Sequence, residues 1–174
     1  MLLLNSQLTP KPVVSIHAGS VVAAAKKPVI NPHNLTIAGF FVEYNYTEER
    51  ILVNQDVREV TNKGYIINHE EDLSPLVDLI RFNELVELDF ELIGKEVRTE
   101  SKKKLGTVEE YVVQSEGLVI YNLHVRQPTW KSFTSAALVI NRRQIVEVTQ
   151  KKIIVKDAVI EEPAGAAVQP AVAG

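Results

Sequence analysis

"VREVTNKGYII" (Val57–Ile67) and "IVEVTQKKIIV" (Ile145–Val155) are nearly the same phrase, written twice in a chain of 174 residues. Five of the eleven positions are identical: Glu59/Glu147, Val60/Val148, Thr61/Thr149, Lys63/Lys151 and Ile66/Ile154. Val57/Ile145 and Ile67/Val155 exchange one β-branched residue for another. In each copy β-branched residues surround a glutamate, "TNKG" or "TQKK" supplies a turn, and "YII" or "IIV" follows, which predicts a hairpin. Asn62 and Gly64 tolerate positive φ, whereas Lys151 and Lys152 make a less natural turn. The shared Glu-Val-Thr face reads as packing and hydrogen bonding rather than as a shared binding function.

Followed outward, the repetition continues. "PVINPHNLTIAGFFV" (Pro28–Val42) lies over "YVVQSEGLVIYNLHV" (Tyr111–Val125), and "KPVVSI" (Lys11–Ile16) over "GKEVRT" (Gly94–Thr99), with Val14 on Val97. The spacing is about 83 residues early and about 88 late, so the second copy carries a longer connection between Val125 and Val139. That length exceeds a solenoid unit and predicts two small tandem β units. Between them, "DLSPLVDLIRFNELVEL" changes to helical spacing. Ser74 and Pro75 suit an N-cap and first helical position, so a short helix is expected from about Pro75 to Phe82. The Ala/Pro/Gly/Val tail from Glu161 has no periodicity and is expected to be disordered. The units drawn from the sequence are 1–73, a helical linker 74–90, 91–160, and the tail 161–174.

A net charge of −3 gives no global basic field for nucleic acid. The absence of cysteine excludes disulfides, thiolate zinc sites and cysteine nucleophiles. "MLLLNSQL" stops being apolar at Asn5, too early for a secretory leader, and no stretch is apolar enough to span a membrane. A soluble, cytoplasmic protein is expected.

At "ELIGKEVRTESKKKLGTVEEYVVQSEGLVIYNLHV" (Glu91–Val125) the chain resembles the PRC-barrel family. The family pattern "LIGK-x-V" is met by Leu92, Ile93, Gly94, Lys95 and Val97, and "LG-x-V" by Leu105, Gly106 and Val108. In the first copy Lys11, Pro12 and Val14 keep the opening, and Ala23 and Ala25 fall where Gly106 and Val108 sit. The resemblance implies an all-β fold: two tandem PRC-type barrels, the second a good match and the first degenerate, joined by the short helix. It is specific for fold and weak for function, because members do unrelated jobs. The ribosome maturation factor RimM carries one such barrel, but its glycine-rich N-terminal opening is missing from "LTPKPVVSIHAGSVV". The likeness is greater to free-standing tandem PRC-barrel proteins of bacteria.

Chemistry is scarce in the sequence. His17, His33, His69 and His124 are scattered. "GxSxG" and phosphate-cradling loops are missing, and the adjacent pairs Glu48–Glu49 and Glu109–Glu110 point to opposite faces of a strand. No catalytic, cofactor-binding or metal-binding residue is assigned, and no enzyme is expected. Binding surfaces are the better candidates: Lys102, Lys103 and Lys104 at a β-turn; Arg126, Trp130, Lys131 and Phe133 in the longest connection; and Arg142 and Arg143 beyond it. Aromatic and arginine residues anchor protein interfaces, and a basic group beside an aromatic holds RNA. The expected role is an adaptor for another macromolecule, a protein foremost. The alternatives are a ribosome- or RNA-associated factor, or a small-ligand or metal sensor in the cleft between the units. Exposed strand edges also offer a route to a homodimer.

Overall fold

A computed structural model describes residues 1–128 and 137–157, and among them the chain is mainly β. In chain order the strands are β1 (Leu2–Leu4), β2 (Lys11–Ser15), β3 (Ser20–Asn31), β4 (Thr36–Tyr44), β5 (Glu48–Val53), β6 (Glu59–Val60), β7 (Tyr65–Ile67) and β8 (Leu73–Ser74). After helix α1 (Ile80–Glu87) come β9 (Glu96–Thr99), β10 (Lys104–Gln114), β11 (Val119–Arg126), β12 (Leu138–Asn141), β13 (Ile145–Val148) and β14 (Lys152–Val155). All belong to one curled sheet.

The repetition in sequence is a repetition of pairing. β2 pairs β3 antiparallel and β7 parallel, β3 pairs β4, β4 pairs β5, and β6 pairs β7. β9, β10, β11, β12, β13 and β14 repeat that pattern strand for strand. Even the irregularities recur. β3 slips against β4 between Ala25 and Lys27 and between Val29 and Ile30, and β10 slips against β11 between Val108 and Glu110 and between Val112 and Val113. Each pair of slips lies 83 residues apart. A bulge bends and twists its strand, so matching bulges give both halves the same curl.

The opening strand corrects the sequence alignment by one residue. Val13 pairs Tyr65 and Val97 pairs Ile153, so Val13, not Val14, is the counterpart of Val97. The inward face enforces this: Val13 and Val97 are fully buried, and so nearly are the hydroxyl residues Ser15 and Thr99 two positions on. A one-residue slip would turn each strand inside out. It also sets Lys11 against Lys95. Both ammonium groups donate to carbonyls of the repeated hairpin, Lys11 Nζ to Thr61 O at 3.1 Å and Lys95 Nζ to Gln150 O at 2.6 Å.

The hairpins themselves are stapled by threonine. The Thr61 hydroxyl accepts from the Lys63 and Gly64 amides and donates to Gly64 O; Thr149 does the same with Lys151 and Lys152. Neither turn uses a positive φ. The lysines of the second turn are therefore no handicap, contrary to the sequence expectation, because the hydroxyl rather than a left-handed residue fixes the geometry.

The two halves meet about an approximate two-fold axis. β4 pairs β11 at a single position, Thr36 with Val119, and these are each other's counterparts 83 residues apart. Around this pair the contacts are reciprocal. Arg142 donates to Leu35 O at 3.0 Å and to Asn34 O at 2.5 Å, while Asn54, its counterpart, donates to Gly117 O at 3.0 Å. Leu35 and Leu118 hold the same left-handed backbone, φ 50 in both, and are buried at 6% and 1% exposure. The principal hydrophobic cluster runs through both halves, from Leu3 to Val155.

Symmetry breaks at the edges. β1 leaves the first half and pairs β10, Leu2–Leu4 against Val112–Gln114, so these residues complete the second half's sheet. α1 lies later than the sequence predicts. Pro75 is extended (ψ 143), a single turn follows at Leu76–Asp78, and Leu79 breaks it. The helix covers the outer face of the first half, where Phe82 packs with Val29 and Ile51. Gly39 makes room for it: a Cβ there would run into Leu52 O and the Phe82 ring. The tail from 161 lies outside the described residues.

Two substitutions check this account. Arg142→Ala removes a guanidinium from two junction carbonyls and should cost about 1.5 kcal/mol or more in urea unfolding, the usual worth of hydrogen bonds to a charged group. Gly39→Ala should cost about 1–3 kcal/mol by overpacking against α1. In both, unfolding should stay a single transition, because one core serves both halves.

Candidate partner-binding surface

The residues picked out by sequence do not converge on one spot. Arg126 ends β11 and pairs in register with Thr107 near the start of β10, so it shares one end of the sheet with the Lys102–Lys104 turn. Arg142 and Arg143 follow β12 at the opposite end of β11, since Asn141 pairs Asn122. Trp130, Lys131 and Phe133 lie outside the described residues. Arg142 is turned into the junction, whereas the Arg143 side is exposed.

Arg126 has a structural tie as well. Its guanidinium pairs with Glu109 at 3.2 Å, bridging β11 and the β10 bulge. In the first half the equivalent residues make the same bridge with the charges exchanged, Lys26 with Glu43 at 3.4 Å. Arg126 remains 74% exposed, so this surface pair contributes little to stability and leaves the cation accessible. Lys102 sits at φ 68 at the tip of the turn, held there by its amide bond to Thr99 O. Thr99 Oγ1 accepts from the Lys103 amide, which fixes the direction of the lysine run. Lys104 pairs with Glu96 at 2.7 Å, and Arg98 binds the same carboxylate. The hydrogen bonds from Arg98 and Lys104 hold Glu96 down to about 2.

The sheet's outer face was not legible as a surface. In the second half four large apolar side chains stand on it in the open: Leu2 56%, Leu4 36%, Tyr121 41% and Val139 37% exposed. Leu4 registers with Val112 and through it with Asn122, whereas Val139 registers with His124, so the four stand on β1, β11 and β12 with polar residues between them. Their first-half counterparts include Ala38 (for Tyr121) and Ile51 (for Val139), which pack beneath α1. The signal was available: aligning the repeats beside the linker shows that only one copy is followed by an amphipathic helix.

A cleft of about 480 Å³ also opens between the halves, walled by Val57, Glu59, Thr61 and Asn62 on one side and Ser115 and Glu116 on the other. Among the described residues no group of three or more His, Asp or Glu is placed to hold a metal ion. His17 and His69 lie with ring centroids 5.1 Å apart at the far end of the first half. Among the described residues no helix is long and apolar enough to cross a membrane.

Residues 86–167 match the PRC-barrel domain. The second half of the chain is therefore a PRC-barrel domain, built from β9 to β14 and completed by β1. No curated protein matches the chain.

Glu96 provides a pH test of the basic end. A carboxylate with a folded pKa depressed from 4.5 to about 2 contributes stability fully above pH 4.5 and loses it as pH falls through 2. Urea midpoints for wild type should exceed those of Glu96→Gln most clearly above pH 4.5. The gap should close near pH 2, and shrink in high salt because the group is partly exposed.

Proposed function

We propose that the chain is a non-enzymatic tandem PRC-barrel adaptor, with units at 1–73 and 91–160 and a linker at 74–90, that binds another protein through its second half. The exposed apolar side chains Leu2, Leu4, Tyr121 and Val139 carry this reading, since apolar side chains left open on a sheet face among polar ones support an interaction surface. Arg126 and Lys102 stand at the end of the same sheet. From residue 91 to 157 twelve Lys and Arg face eight Asp and Glu, whereas residues 1–90 have seven against twelve. A partner with an acidic surface is steered to the second half. The work is done in the cytoplasm, with no cofactor.

The test is affinity capture from source-cell lysate at low and high salt. Wild type should retain a protein partner at both salts. Tyr121→Asp/Val139→Asp should reduce retention at least tenfold, and Lys102→Glu/Arg126→Glu should reduce it chiefly at low salt. RNA retained with steep salt dependence would replace the protein partner with a ribosome- or RNA-associated role. An empty lane, with a ligand-dependent rise in melting temperature, would move the function to the cleft between the halves.

A further inference from the structure

The two halves fasten the same two stretches of backbone with different chemistry. In the second half the Glu100 amide donates to Val155 O at 3.0 Å, and the Ser101 amide to Asp157 Oδ1 at 3.0 Å. In the first half the Ile16 amide donates to Ile67 O at 3.0 Å, the counterpart of the first of these bonds. One residue on, His17 and His69 take the places of Ser101 and Asp157, with ring centroids 5.1 Å apart and planes tilted by 42°. His17 lies in the turn between β2 and β3, and His69 follows β7. Their backbones are fixed. The His17 amide donates to Asn68 O at 3.0 Å, and Asp72 Oδ2 accepts from the Asn68 and His69 amides at 3.0 and 2.9 Å. Both side chains are exposed.

We propose that His17 and His69 together bind one divalent transition-metal ion of the zinc class, which staples the β2–β3 turn to the segment after β7. This goes beyond the adaptor reading, and it places the ion in the half that the partner does not use. Two imidazoles on one tetrahedral zinc, each bound through a nitrogen at about 2.0–2.1 Å, hold their ring centroids about 5 Å apart. The pair already stands at that separation, so binding asks only for rotation of two exposed rings about their side-chain torsions. Imidazole nitrogen suits zinc, copper and nickel, whereas magnesium and calcium take oxygen ligands. Water completes the coordination. The charge around the pair favours a cation: Glu70, Glu71 and Asp72 follow His69 directly, and residues 1–90 carry the excess of carboxylates. Arg58, which donates to Asn68 Oδ1 at 2.9 Å, opposes them with a single charge. The stapled segment leads into β8, which lies along the edge of β5 with Leu73 against Leu52. The ion therefore stiffens the turn and that edge together, where the second half uses a carboxylate and an amide.

The experiment titrates zinc chloride into metal-free, nitrogen-15-labelled full-length protein and follows the ring resonances of its four histidines, assigned from single His→Phe variants. Phenylalanine keeps the ring contact and removes the nitrogens. His17 and His69 should shift together and saturate at one equivalent, while His33 and His124 stay in place. Zinc should raise the melting temperature of wild type and slow hydrogen exchange of the amides in 16–19 and 68–72. His17→Phe and His69→Phe should each melt like wild type without metal and bind zinc at least tenfold more weakly. Magnesium chloride should leave all four histidines unmoved. An equal response at His33 or His124, undiminished zinc binding by either variant, or no response to zinc overturns the proposal. So does a zinc-dependent doubling of mass in sedimentation, which would put the ion between two chains.

Discussion

Everything in this molecule is organised by one pairing, Thr36 with Val119, where a residue meets its own counterpart. A strand pair centred on equivalent residues makes a two-fold axis, and contacts about such an axis must be self-complementary. The reciprocal bonds from Arg142 and Asn54, and the Ile120 amide donating to Leu35 O at 2.9 Å, meet that demand. The left-handed Leu35 and Leu118 are sparsely populated conformations for leucine, tolerated because their carbonyl neighbourhood is bonded across the axis. The joint turns two sets of strands into one sheet around one core.

What the sequence revealed was whatever is written locally. The hairpins were legible because Glu-Val-Thr and the turn sit within eleven residues, although the operative residue is the threonine hydroxyl and not the asparagine or glycine. The mainly β fold followed from β-branched runs, and the PRC-barrel domain from "LIGK-x-V" and "LG-x-V". The slip at Val13 was invisible because "KPVV" has two adjacent valines, and only the parallel pairing with Tyr65 decides which points inward. The helix boundary was missed because Ser74 and Pro75 look like a cap, whereas the chain is extended at Pro75 and breaks again at Leu79 before α1 begins.

The candidate surface was less legible for a similar reason. Arg142 reads as a free cation in "INRRQ", but a tertiary contact over a hundred residues away claims it. Arg126 reads as a binding residue and also fills a repeated cross-strand ion pair, which the charge exchange with Lys26 and Glu43 disguises. The exposed surface cannot be seen by composition, since valine, tyrosine and leucine at those positions look like core. It stands exposed because, among the described residues, nothing in the second half takes the place of the helix and edge strand of the first. The repeat is thus most informative where the described residues of its two copies differ.

The strand β1 has a consequence for how such a chain is made. Leu2–Leu4 are made before the rest of the sheet, yet their place in it, beside Val112–Gln114, does not exist until more than a hundred further residues have followed. β1 therefore waits for β10, and pairing them closes a loop of more than a hundred residues. Cutting at the linker helix would not release two independent domains, because the piece after the cut would leave its own first strand behind.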